Sequence, residues 1–321
     1  MMELTSLLRH TLLVSSIGVL AACSSADSTS TTPNTPAAPT AVTLSGSVFA
    51  SDVSGATVTI KKNDGTSIAG PVTTNADGTY SIDILDTELA SDLVFESTGG
   101  GFVDEDTGLN ATAGSMAAYV EGGTLADGDS VHVTPGTTIH AALIDHGKSP
   151  AEAQTTFFSA FAYDPDFTVD PIDITDPTSL TADDAARLAG WRAAVMSRLA
   201  NDIGLTPEQQ FDMFAAIAQD LSDGDMDGSD PSGTVEIGST GFTSPSLATY
   251  IETTATYNTV DAANLTITYD PPPTTDNPQG KNVFTLTVMD TSGGGAATPV
   301  TGLVPGTDIK VMPMMYMANG R

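Results

Sequence analysis

The chain has 321 residues, with 40 acidic side chains against 10 basic ones and a formal net charge of -30. Such a surface excludes nucleic acid as a natural partner, because phosphate binding needs clustered Lys and Arg, and it is repelled by anionic lipid headgroups. Charged residues are nevertheless only 16% and hydrophobic ones 40%, which excludes a wholly disordered acidic polymer.

Residues 1–22 read as a targeting segment. Arg9 and His10 precede an apolar stretch from Thr11 to Ala22. At about a dozen residues the stretch is too short to span a bilayer, which takes ~20, but it suits the core of a signal peptide. The only cysteine, Cys23, follows at once. Leu20-Ala21-Ala22-Cys23 resembles the lipobox of bacterial lipoproteins. That resemblance implies recognition of Leu20, Ala21 and Ala22 by a signal peptidase and lipidation of Cys23. It also implies an outer-membrane destination, since Ser24 stands where the retention signal is usually Asp. With one cysteine the chain forms no internal disulfide.

The rest of residues 23–41 is rich in Ser, Thr, Pro and Ala and lacks large apolar side chains, so it reads as a flexible tether. Residues 42–134 then alternate with a period of two, as in Val42, Leu44, Gly46, Val48 and in Tyr80, Ile82, Ile84. Asn63-Asp64-Gly65 and Asp77-Gly78 mark tight turns. Short strands so spaced predict an antiparallel β-sandwich. The runs Leu44–Val48, Gly55–Ile60 and Thr73–Ile82 resemble a carboxypeptidase regulatory-like (prealbumin-like) module, a family whose members are usually non-catalytic and sometimes carbohydrate-binding in fold.

Residues 135–230 predict a small helical bundle. Ser149-Pro150-Ala151-Glu152 and Thr206-Pro207-Glu208-Gln209 are capping boxes with Pro at the first helical position. Thr181 to Asp184 caps a helix striped by Leu188, Trp191, Val195, Leu199 and Ile203. A shorter helix runs near Thr138 to His146, and the Asp- and Pro-rich segment from Asp164 to Asp176 reads as an irregular loop. Residues 231–257 read as a linker, and 258–321 as a C-terminal β-domain. There Gly280 to Asp290 with Val311 to Met315 resembles the YtkA-like family, which implies a partial β-sandwich whose remaining strands would follow Arg321. An incomplete gene product is the corresponding expectation. The fold class expected is thus multidomain and mainly β, with an α-helical middle region.

Two clusters carry metal chemistry on paper. Asp223, Asp225, Asp227 and Gly228, then Ser229, match the first half of a calcium loop, though Thr234 replaces its terminal Glu. The alternative is a solvated acidic turn. Met312, Met314, Met315 and Met317 offer soft thioethers that suit copper(I), or else pack a strand buried on both faces. His132, His140 and His146 form no metalloprotease motif, and neither a nucleophile elbow nor a phosphate loop occurs. The reading is a non-catalytic, lipid-anchored envelope protein that acts as a binding or scaffolding module for a protein or glycan partner, held to the membrane by its lipid, with no cofactor required and calcium as the one candidate ion. Calcium or copper handling is the first alternative, and glycan binding or glycan chemistry the second.

Overall fold

A computed structural model describes residues 38–176, 179, 182–257, 265–270, 285–290 and 298–299. Strand β1 (Ala41–Ser47) pairs antiparallel with β4 (Thr79–Leu85), which sets Val42 against Ile84 and Leu44 against Ile82. All four are buried, as the period-two pattern predicts. The other edge of β1 accepts residues 129–133 in parallel, through Val131 N to Ser45 O at 2.8 Å and Val133 N to Ser47 O at 2.8 Å. Gly46 makes this approach possible, since a Cβ there would lie 1.8 Å from the Val131 carbonyl oxygen. The Tyr80 hydroxyl donates to that same oxygen at 2.6 Å.

A second sheet runs in the order β3 (Ser67–Thr73), β2 (Thr57–Lys62), β5 (Leu93–Thr98), β8 (Ser115–Val120), all antiparallel. Its inner face carries Val58, Ile60, Leu93, Phe95, Met116 and Ala118, all buried. Lys61 and Glu96 pair across its surface. A hairpin of β6 (Gly101–Val103) and β7 (Asn110–Thr112) leaves this sheet towards the helices.

Five helices follow among the described residues, so the fold is mixed and the mainly-β expectation understates its helices. Helix α1 (Pro135–Asp145) begins earlier than expected, because Thr134 and Thr137 form a capping box ahead of it. Helix α2 (Pro150–Phe161) starts at the expected box, with Glu152 accepting from Ser149 N at 2.9 Å. Helix α3 (Asp184–Asp202) is capped by Asp183, which accepts from Ala185 N and Ala186 N, a correction to the expected cap at Thr181. Its buried face is also wider than the predicted stripe, with Ala193, Ala194 and Met196 inside and Leu188, Trp191 and Ile203 only partly covered. Helix α4 (Gln210–Asp220) follows a short turn in which Thr206 N donates to Gln209 Oε1 at 2.9 Å. The expected linker contains α5 (Leu247–Tyr257), whose Tyr250 is 1% exposed and stacks edge-on against Phe161.

One hydrophobic core runs from Val42 in β1 through Phe95, Ile139, Phe157, Leu199 and Phe214 to Tyr250 in α5. A single cluster of buried side chains thus draws on both the β-rich and the helical parts, on either side of the boundary expected near residue 134. Each large apolar side chain in such a shared core contributes about 1.5–3 kcal/mol. Further along, β11 (Leu265–Asp270), β12 (Thr285–Asp290) and β13 (Thr298–Pro299) form an antiparallel sheet, preceded by a two-strand turn of β9 (Ser229–Asp230) and β10 (Gly233–Thr234).

Candidate functional site

Residues 164–176 form a strap over the joint between strands and helices. Short Asp–Thr turns stiffen it locally: Thr168 N and Oγ1 donate to Asp166 at 2.8 and 2.6 Å, and Thr175 N and Oγ1 to Asp173 at 2.7 and 2.6 Å. Longer bonds seat it. His132 N donates to Phe167 O at 2.8 Å, and Ile172 N to Ala186 O at 3.3 Å. Gly190 of α3 lets the Ile172 carbonyl lie against the helix, where a Cβ would come within 1.9 Å of it.

At the centre of the strap Asp170 meets Ser47 and His132. Ser47 Oγ donates to Asp170 Oδ1 at 3.0 Å, and His132 Nδ1 lies 3.1 Å from that oxygen and 2.8 Å from Ser47 Oγ. The hydrogen bond from His132 holds the Asp170 carboxyl below the usual range. A serine nucleophile needs its base on one imidazole nitrogen and the orienting acid on the other. Here both oxygens converge on Nδ1, so the trio is a clamp that ties strap to strand. Sequence reasoning missed it because its members lie 85 and 123 positions from Ser47.

Two further features flank the strap. A cavity of 190 Å³ opens between the first turn of α1, the strap and α3, lined by Gly136, Tyr163, Val169, Leu188 and Arg192. The Arg192 guanidinium lies 3.9 Å from the centre of the Tyr163 ring. Burial pulls its pKa down, and its Nε is sealed from solvent without a hydrogen-bond partner. On the other side, carboxylates crowd together. Burial, then Asp173, Asp77, Asp170 and Asp176, push Asp52 up to about 6. Burial first, then Asp173, Asp104 and Asp52, push Glu105 well above its ordinary value.

Neighbouring Asp104 is fully satisfied. Its Oδ1 accepts from Thr107 N and Oγ1 at 2.9 and 2.7 Å, and its Oδ2 from Ser197 Oγ and Gln210 Nε2 at 2.6 and 3.3 Å. These bonds join the β6–β7 hairpin to α3 and α4. Asp106 adds Arg198 at 3.2 Å and Asn201 at 2.6 Å.

The expected calcium loop is organised by a residue outside the expected set. Asp220, fully buried at the end of α4, accepts from the backbone N–H groups of Asp227, Gly228 and Ser229 at 3.0–3.2 Å. Burial pushes its carboxyl up against the pull of these donors. Asp223, Asp225 and Asp227 stay exposed, and the charges of Asp227 and Asp223 raise the Asp225 pKa. Ser229 donates its hydroxyl to Asp227 at 2.6 Å. The chain then enters the β9–β10 turn, where Ser232 and Gly233 bond to Asp230 and Thr234 pairs with Ser229. Among the described residues no three His, Cys, Asp or Glu side chains stand ready to hold a metal ion. Leu20, Ala21, Ala22, Cys23, Met312, Met314, Met315 and Met317 lie outside the described residues. Trp191, the one tryptophan, is partly buried against the core.

No family model, curated protein or solved structure matches this chain.

Proposed function

We propose that this chain is a lipid-anchored protein of the bacterial cell envelope whose folded part is a non-catalytic binding or scaffolding module. The observation that carries the reading is Leu20-Ala21-Ala22-Cys23 at the end of a short apolar stretch, followed by a Ser-, Thr- and Pro-rich tether. Acyl chains on Cys23 contribute ~0.8 kcal/mol per buried methylene, enough with two or more chains to hold the protein on a bilayer. The first strand starts at Ala41, where the tether composition ends, which supports a stalk carrying a folded head.

Within that head we read the two sheets containing β1 and β2 as the layers of a carboxypeptidase regulatory-like sandwich. Their shared core supports this. The binding role is assigned to the cavity beside Arg192, the concave surface bounded by strap and helices. A platform for sugars needs an exposed aromatic face, and Trp191 leans on the core instead. The test is mass spectrometry of protein from its native host, with Cys23→Ser for comparison. A thioether-linked diacylglyceryl group on Cys23, and release of the variant from membranes, are expected. A free thiol on a soluble, secreted chain overturns the reading.

A further inference from the structure

Arg192 is a cation without a counter-ion. Lys61, Lys62 and Arg198 each pair with a carboxylate, whereas among the described residues none stands within ion-pair distance of Arg192. The side chain is half-buried, so its charge carries a desolvation cost that a bound anion would offset. Its Nε is sealed, so the outer N–H groups of the fork are what a ligand meets at the cavity wall. The Tyr163 ring, 3.9 Å away, backs one face of that fork. The first turn of α1, at Pro135 and Gly136, adds a weaker positive field on the same cavity.

The opposite charge stands on the strap. Asp164 and Asp166 line the same cavity and are exposed. Gln154 Nε2 donates to Asp164 Oδ1 at 3.2 Å, and Thr168 holds Asp166 through Oδ1 alone, which leaves Oδ2 of each for an incoming donor. Between these poles the wall is alkyl, from Val169, Ala185, Leu188 and Ala189. A plain anion would gain at Arg192 and lose at the two aspartates, and a plain cation the reverse. A molecule with one charge of each sign beside a short alkyl group suits all three surfaces. The volume sets its size: an apolar cavity of about 150 Å³ takes benzene, so 190 Å³ has room for about eight non-hydrogen atoms. We propose that the cavity binds an apolar α-amino acid of about the size of valine. Its carboxylate sits on Arg192, its ammonium on Asp164 or Asp166, and its side chain against Leu188 and Ala189. The inference rests on the reading of this cavity as the binding site and names its ligand class.

The experiment is calorimetric titration of the full chain with L-valine and two molecules of the same shape. L-valinamide lacks the carboxylate, and L-α-hydroxyisovalerate lacks the ammonium. One saturable site is expected for L-valine, with a raised melting temperature. Each of the other two should bind more weakly by more than about tenfold, because each loses charge-assisted hydrogen bonds. Arg192→Gln should bring L-valine down to the level of L-valinamide. Asp164→Asn combined with Asp166→Asn, both at exposed positions, should erase the preference for L-valine over the hydroxy acid, and keeps the test open if Arg192→Gln fails to fold. Ala189→Leu, which fills the cavity, should abolish binding. Three outcomes overturn the proposal. The hydroxy acid binding as tightly as L-valine, and depending on Arg192, refutes the amino-acid assignment while leaving the cavity a binding site. L-valine binding that survives both Arg192→Gln and Ala189→Leu puts the site elsewhere. The last is no saturable binding by any of the three; if Ala189→Leu then also raises the melting temperature, the cavity is a packing gap and its binding role falls as well.

Discussion

At the scale of single residues, burial and polar satisfaction pull in different directions at each site. Asp104 and Asp220 are buried carboxylates rich in donors, whereas Glu105 is buried with none. No sequence pattern separates them, because Asp104-Glu105-Asp106 is simply a short acidic run. The difference arises from Ser197, Gln210 and Arg198, roughly a hundred positions away. His140 is a case where the sign of a pH effect follows from burial. Its pKa is lowered from 6.5 chiefly by burial beneath neighbours that include the Tyr119 ring, although a hydrogen bond to the Pro150 carbonyl opposes this. The folded state therefore binds fewer protons than the unfolded state below 6.5. The stability His140 contributes is present above that pH and is lost as pH falls through the lowered folded value. Urea midpoints of the parent and His140→Gln, compared between about pH 5 and 8, should diverge on the acid side, with the variant losing less. Parallel curves would contradict this assignment.

At the scale of elements, the legible features were those with local causes. The box at Ser149 and Glu152 places α2 correctly because both partners lie within one turn. Alternation at Val42, Leu44, Ile82 and Ile84 likewise predicts which face of β1 and β4 is buried. Helix α5 escaped notice because Thr and Ala dilute its apolar stripe, and Tyr250 is made a core residue by distant Phe161. The strap escaped for the converse reason. Its Asp, Pro and Thr residues mark an irregular segment, as they should, but the Ser47–His132–Asp170 clamp joins it to elements far along the chain. Gly190 tests its seating. In a free helix Gly→Ala is worth up to about 1 kcal/mol of added stability. Against the Ile172 carbonyl, Gly190→Ala should instead destabilise by roughly 1–3 kcal/mol, read as a lower urea midpoint. A neutral or stabilising result would mean that the strap does not rest on α3.

At the scale of the whole molecule, the shared core makes a prediction about cooperativity. Leu44 in β1 and Leu199 in α3 belong to one buried cluster that crosses the expected domain boundary. Hydrogen exchange should therefore give their amides the same opening free energy, equal to that of global unfolding. Two distinct plateaus, one for the strands and one for the helices, would instead mean separable modules. The boundary expected near residue 134 rests on a change of period from two to about four residues. That change is real, yet periodicity reports which face of an element is apolar and says nothing about whose surface covers it.

The parallel pairing of β1 with residues 129–133 bears on the order in which the chain can be built. Ser45 finds Ser130, 85 positions later, and Ser47 then needs Asp170, 123 positions on. A chain emerging from its N-terminal end exposes its first strand long before that neighbour arrives. Loop closure on this length slows folding more than it weakens the product. Throughout the wait, one margin of β1 is bare backbone, open to a neighbouring nascent copy or to a chaperone that shields extended segments.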